Sequence, residues 1–260
     1  MYQARINGIT MYYNRIGSGE PLVLIHGLGE RKESWVFQYA LSDNYDLIIP
    51  DLRGHGQSET TEDISIETFA HDILSLLDHL GIESAHFCGL SMGGAVTQEI
   101  YRLAPERCRS LILVNTFFFI PITFKILMDY ICLWKLQLPK VMKRQLAAYM
   151  CLYTLTNETL DRFTQAITPN MDAYAKSVDA CLTVDNRLLL RRIKVPTLII
   201  GSQYDRLTPA WMQVLMHQRI PHSELVILRR SGHLAKLERP EEFNGVIRSF
   251  LERQQLREIS

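Results

Sequence analysis

The sequence predicts an α/β protein built on a mostly parallel sheet with helices on both faces. Three observations carry that expectation. Unbroken apolar runs recur along the chain: PLVLIHG (21–27), YDLIIPD (45–51), AHFCG (85–89), SLILVN (110–115) and PTLIIG (196–201). Such runs mark strands buried on both faces, as parallel strands are. Helix-compatible stretches at 33–42, 66–80, 92–104 and 209–219 separate them, giving the alternation of a doubly covered sheet. The alternation breaks once, at 117–190, a strandless stretch rich in large apolar residues such as Phe117, Phe118, Phe119, Phe124, Tyr130 and Trp134. It is too long for a loop, so a set of helices inserted between two core strands is expected.

The remaining elements follow in order. Residues 2–15 read as two short strands about Asn7-Gly8, a strong hairpin signal, and supply an antiparallel edge. ELVIL (224–228) is the last strand, and a helix is expected from Pro240 to about Gln254. The 28 basic and 28 acidic residues balance, which gives no reason to expect nucleic acid or a bulk membrane surface as partner. The five cysteines (Cys88, Cys108, Cys132, Cys151, Cys181) follow no short metal-ligand spacing and read as buried small hydrophobes in a reducing compartment. The N-terminus alternates polar and apolar residues, with no continuous apolar core of a secretory signal. The most apolar segment, 111–134, is interrupted by Asn115, Pro121, Lys125 and Asp129, which a membrane span tolerates poorly. A cytoplasmic protein without a transmembrane segment is expected.

One stretch points to chemistry. Gly89-Leu90-Ser91-Met92-Gly93 sits between a buried strand and a helix, the context of a G-x-S-x-G turn that presents a nucleophile. A plain strand-to-helix turn with a surface serine is the competing explanation, and further residues must decide. A serine hydroxyl needs a neighbouring base. Among eight histidines, His233 lies in SGHLAKLERP, a loop between the last strand and last helix at the carboxyl edge of the sheet. His71 and His79 fall on a helix, His86 opens a strand, and His217 and His222 flank a helix end, none with a loop context. His55, in DLRGHGQS, precedes the serine and reads as shaping its own loop. A carboxylate must orient the base. Asp205 in GSQYDRLTP is favoured, because it gives the order Ser–Asp–His, although an N-cap or an Arg206 pairing explains it too; Asp51 is the acidic rival. Met92 N–H, next after the nucleophile, and Leu28 N–H in HGLG are candidate donors to an oxyanion.

With LIHGLG, DLRGHGQS, GLSMGG, GSQYDRLTP and SGHLAKLERPEEF in this order, the chain resembles the α/β-hydrolase superfamily. The resemblance implies an α/β-hydrolase fold: a mostly parallel eight-stranded sheet flanked by helices, with a helical cap after strand 6. The core would be 1–116 and 191–260, the cap 117–190. It implies Ser91 as nucleophile, Asp205 as acid, His233 as base, Leu28 and Met92 as the oxyanion hole, and no metal or organic cofactor. Serine at the turn argues against haloalkane dehalogenases and epoxide hydrolases, which use aspartate there. Leu234 after the histidine, where carbon–carbon bond hydrolases usually have tryptophan, places those lower. GLSMGG with GHLAxLExP is similar to 3-oxoadipate enol-lactonases, small carboxylesterases and pimeloyl-acyl-carrier-protein methyl ester esterases. Expected is a serine hydrolase of a small-molecule carboxylic ester or thioester with an apolar acyl part. An acyl carrier protein is a further candidate partner, because Lys125, Lys135, Lys140, Lys143 and Arg144 outnumber Asp129 over 120–150. Amphipathic helices with their lysines in water are the favoured explanation of those charges. A ligand receptor with little turnover, or perhydrolase-type side chemistry, are the rivals on the same fold.

Overall fold

A computed structural model describes residues 1–121, 123, 139–167 and 169–259. Eight strands form one sheet: β1 (Tyr2–Ile6), β2 (Ile9–Ile16), β3 (Glu20–Ile25), β4 (Tyr45–Pro50), β5 (Ala85–Leu90), β6 (Cys108–Val114), β7 (Thr197–Ser202) and β8 (Glu224–Leu228). Their spatial order is β1-β2-β4-β3-β5-β6-β7-β8. The hairpin β1–β2 pairs antiparallel through Asn7 and Gly8, both at positive φ, and β2 joins β4 antiparallel. Every other pairing is parallel. The carboxyl ends of β3 to β8 therefore open on one edge. Chain direction across the sheet reverses between β3 and β5, the crevice in which open α/β sheets bind ligands.

Strand residues alternate between two cores. Val23, Ile25, Ile48, Phe87, Leu111, Leu113 and Ile199 pack against α1 (Ile66–His79) and α2 (Met92–Leu103) through Phe69, Ile73, Leu76 and Val96. Leu22, Leu24, Ile49, Leu90, Ile112, Val114 and Ile200 pack on the other face with Trp35, Phe243, Ile247 and Phe250. Ser65 caps α1, its hydroxyl accepting from Thr68 N–H.

The segment 33–42, expected as α-helix, instead forms successive 3₁₀ turns over Lys32–Asp43. Its buried residues explain the difference: Lys32, Trp35, Gln38 and Leu41 recur every third position, the period at which side chains eclipse in a 3₁₀ helix.

Between β6 and β7 the described chain is helical, with α3 (Lys140–Cys151), α4 (Asn157–Ala166) and α5 (Met171–Leu182). Phe124, Lys125, Ile126, Leu127, Met128, Asp129, Tyr130, Cys132, Trp134 and Lys135, and the side chain of Lys140, lie outside the described residues. After β7 come α6 (Ala210–His217), the four-residue α7 (Ala235–Glu238) and α8 (Pro240–Ile259). No helix of the described residues is long and apolar enough to cross a membrane.

Candidate active site

Ser91 is the single residue between β5 and α2, with φ 55° and ψ −117°. A side chain at positive φ is strained, by roughly 1–3 kcal/mol. The surroundings hold it there: Ser91 N–H donates to Val114 O at 2.9 Å, and Thr116 Oγ1 donates to Ser91 O at 2.6 Å. The turn also needs its glycines. A Cβ on Gly89 would run into the Gly93 carbonyl, and one on Gly93 into the Ile25 and His26 carbonyls. Only without side chains can α2 start this close to β5 and β3.

His233 and Asp205 meet across the loops after β8 and β7. Nδ1–H of His233 donates to Asp205 Oδ2 at 2.8 Å, with both residues buried. The remaining acceptor capacity of Asp205 is filled locally. Leu207 N–H and Thr208 N–H donate to Oδ1 at 2.8 and 2.9 Å, and Thr208 Oγ1 donates to Oδ2 at 2.8 Å. The N-cap reading of Asp205 does not hold, since α6 starts at Ala210 with Pro209 before it. Arg206 turns away from Asp205 and bonds the carbonyls of Tyr149 and Leu152. With Nδ1 carrying the proton, the basic lone pair of His233 lies on Nε2. Ser91 and His233 line one cavity of about 140 Å³, together with Leu28, Ala147, Cys151, Phe163, Ile167, Leu207 and Leu234. Among the described residues no hydrogen bond joins Ser91 to His233; such contacts commonly tighten only when substrate binds.

Leu28 follows β3 and Met92 follows Ser91, so the two amides flank the switch crevice. Neither N–H has a partner among the described residues. The Leu28 loop is anchored from both sides. His26, wholly buried, donates through Nδ1 to Gly27 O at 2.8 Å and accepts Leu52 N–H on Nε2 at 3.0 Å. Burial holds its pKa well below the ordinary 6.5, the nearby His55 adding to the effect. Gly27 N–H donates to Glu30 Oε2 at 2.7 Å, and Glu30 pairs with buried Lys236 at 3.2 Å. Burial lowers the pKa of Lys236, opposed by the Glu30 charge.

Asp51, the rival acid, is engaged elsewhere. Its Oδ2 accepts Lys32 Nζ at 2.7 Å and Gln57 N–H at 3.0 Å, and its Oδ1 accepts Lys32 N–H at 2.7 Å. His55 shapes its loop through Nδ1–H to Arg53 O at 3.0 Å. His86 is buried with Ser110 Oγ at 2.8 Å, and His217 bonds Ser223 Oγ. Among the described residues no group of three His, Cys, Asp or Glu side chains could hold a metal ion.

Sequence reasoning missed several contributors. Asn115, at φ 39° after β6, donates from Nδ2 to Ser202 Oγ at 2.8 Å and to His233 O at 2.9 Å, fixing the base loop. Thr116, Glu30 and Glu238 likewise hold site backbone, with Lys236 acting through Glu30; Lys236 and Glu238 fall within the SGHLAKLERPEEF block, but nothing in that block announces these contacts. Asn115 alone carried a signal: a polar residue ending a buried strand.

The model of the α/β-hydrolase fold family matches residues 20–240, and the chain belongs to that family. It is 31% identical to 3-oxoadipate enol-lactonase 1 of Acinetobacter baylyi, over 94% of this chain and 92% of that one. It is 26% identical to the pimeloyl-[acyl-carrier protein] methyl ester esterase of Serratia marcescens, over 93% of this chain and 98% of that one. A thermophilic esterase from Thermogutta terrifontis superposes with a TM-score of 0.89 at 25% identity, covering 98% of this chain and 99% of that one.

Proposed function

We propose that this ester hydrolase cleaves carboxylic esters with a short apolar acyl group through Ser91, His233 and Asp205. The observation that carries the reading is that His233, hydrogen-bonded to buried Asp205 at 2.8 Å, borders the same apolar cavity as a serine held at positive φ. His233 Nε2 takes the Ser91 proton as Oγ attacks the carbonyl carbon, and the Leu28 and Met92 amides receive the oxyanion. The intermediate collapses as His233 protonates the leaving alkoxide. Water, deprotonated by His233, then attacks the acyl-enzyme and releases acid and free Ser91. Asp205 stays ionised, orients the ring and stabilises its cation.

The cavity sets the acyl size. An apolar space near 140 Å³ is close to the roughly 150 Å³ that holds a benzene ring, so about four to six carbons fit. In this reading 117–190 is a cap over a core of 1–116 and 191–260. The buried thiols Cys88 and Cys108, pushed up by burial, suit a reducing cytoplasm. The Serratia relative supports a second form of the reading, in which the acyl group arrives on a carrier protein. Of the described basic residues in 120–150, Arg144 is exposed and available for that contact, with Lys143 half-buried beside it.

Hydrolysis of nitrophenyl esters from acetyl to dodecanoyl, wild type beside Ser91→Ala, tests the proposal. A serine-dependent rate peaking between butanoyl and hexanoyl is expected. A folded wild type inert toward every ester, or a Ser91→Ala variant as active as wild type, would overturn it.

A further inference from the structure

Helix α3 ends without a cap of its own. Its C-cap residue, Leu152, is extended, at φ −113°, with no left-handed residue to receive the last carbonyls. A helix end leaves four carbonyls without partners inside the helix. Here the site loops supply the partners. Arg206, next to Asp205, donates from Nη1 to Tyr149 O and Leu152 O, both at 2.8 Å, with its guanidinium 4.2 Å over the Tyr149 ring. Leu234 N–H, next to His233, donates to Cys151 O at 3.1 Å.

The chain just beyond is held from the same side. Glu238 Oε1 accepts Tyr153 N–H at 2.9 Å and Thr154 N–H at 2.8 Å, while its Oε2 accepts Gly232 N–H at 2.7 Å. One carboxylate thus bridges the end of α3 and the residue before His233. The approach is tight enough that a Cβ on Gly232 would strike Tyr153 N and Cys151 O. Ala147 and Cys151, in the last turns of α3, line the cavity that Ser91 and His233 share.

We infer that Glu238 and Arg206 are positioning and specificity-determining residues. They join the α3 wall of the acyl pocket to the loops carrying His233 and Asp205, so that an acyl chain filling the pocket steadies the base. The inference rests on the esterase reading given above. Binding energy from a remote, unreacting part of a substrate raises kcat when it orients the reacting groups. A chain packed on Ala147 and Cys151 presses on a helix whose end is hydrogen-bonded to both site loops. In this reading a hexanoyl group fills a cavity of about 140 Å³ far more than an acetyl group does, and so bears more on its α3 wall. Neither Glu238 nor Arg206 touches the reacting atoms.

The test measures kcat and KM for nitrophenyl acetate and hexanoate in wild type, Glu238→Gln, Arg206→Met and Arg206→Lys, with melting temperature as a check on folding. Wild type is expected to turn over hexanoate with the higher kcat. In Glu238→Gln and Arg206→Met that kcat should fall about tenfold, with the acetate kcat changing less than about threefold. Arg206→Lys, which keeps a donor for one carbonyl, should recover part of the loss. Equal fractional losses on both esters, or no loss on either, would overturn the inference. Hydrogen exchange separates it from the esterase reading if no ester is turned over. Faster exchange of the Tyr153, Thr154, Gly232 and Leu234 amides in Glu238→Gln, with the sheet amides unchanged, supports the junction. Unchanged exchange at those four amides overturns it.

Discussion

Asp51 and Asp205 both follow parallel strands at the same sheet edge, and their neighbours alone separate their roles. Lys32, fully buried, brings its ammonium and its backbone N–H to Asp51, so that carboxylate neutralises a buried cation. Among the described residues Asp205 meets no lysine or arginine; two amides and a hydroxyl hold it, with Oδ2 aimed at His233. The two asparagine variants should therefore fail differently. Asp51→Asn leaves the buried Lys32 charge only the half-exposed Glu33, 3.1 Å away, and is expected to cost about 2–3 kcal/mol in a urea melt, with serine-dependent turnover per folded molecule retained. Asp205→Asn is expected to keep the fold and lower kcat by roughly 10⁴, because an amide favours the wrong imidazole tautomer. A stable, inactive Asp51→Asn would reverse the assignment. Sequence placed both carboxylates at this edge, but Lys32 lies 19 positions from Asp51 and nothing local foretold their pairing.

At the scale of elements, α2 meets β3 and β5 at the glycines. The structure gives the surfaces that Gly89 and Gly93 meet: the Gly93 carbonyl for one, the Ile25 and His26 carbonyls for the other. Gly93→Ala would push α2 off the end of β3, where backbone atoms cannot rotate aside. The expected loss is about 1–3 kcal/mol or more in denaturant unfolding, accompanied by a lower kcat since Leu28 follows β3. Unchanged stability and kcat would mean that the helix shifts freely. The 3₁₀ segment teaches a related lesson. Its period of three, Lys32-Trp35-Gln38-Leu41, stands in the sequence, yet three and 3.6 differ little over so few turns.

The whole molecule carries a pH signature. Burial holds His55 below its ordinary 6.5 and His26 well below it, so each ring takes up its proton at a lower pH in the native state than in the unfolded chain. The unfolded chain takes up protons below about pH 6.5 that the native state refuses, and stability falls with pH by up to ~1.4 kcal/mol per unit for each ring. His55 Nε2 has no hydrogen-bond partner among the described residues, so His55→Asn removes one of these protons with few bonds lost. Urea midpoints measured from pH 7.5 to 5.5 should decline less steeply in that variant. Parallel slopes would mean that His55 titrates normally in the fold.

Much of this architecture was legible from one chain. Apolar runs located β3 to β8, Asn7-Gly8 located the hairpin, and G-x-S-x-G between strand and helix located Ser91, because burial and turn geometry are local demands on local residues. Of the long-range contacts, the Asp205–His233 pair, 28 positions apart, was expected from the Ser–Asp–His order. The supporting contacts were not legible: Asn115 to His233 spans 118 positions, and the Glu238 bridge to Tyr153 spans 85. Each is formed by side chains whose partners are set by strand order and loop packing. An asparagine, a glutamate or an arginine offers the same donors and acceptors wherever it stands, so folding alone decides which backbone it holds.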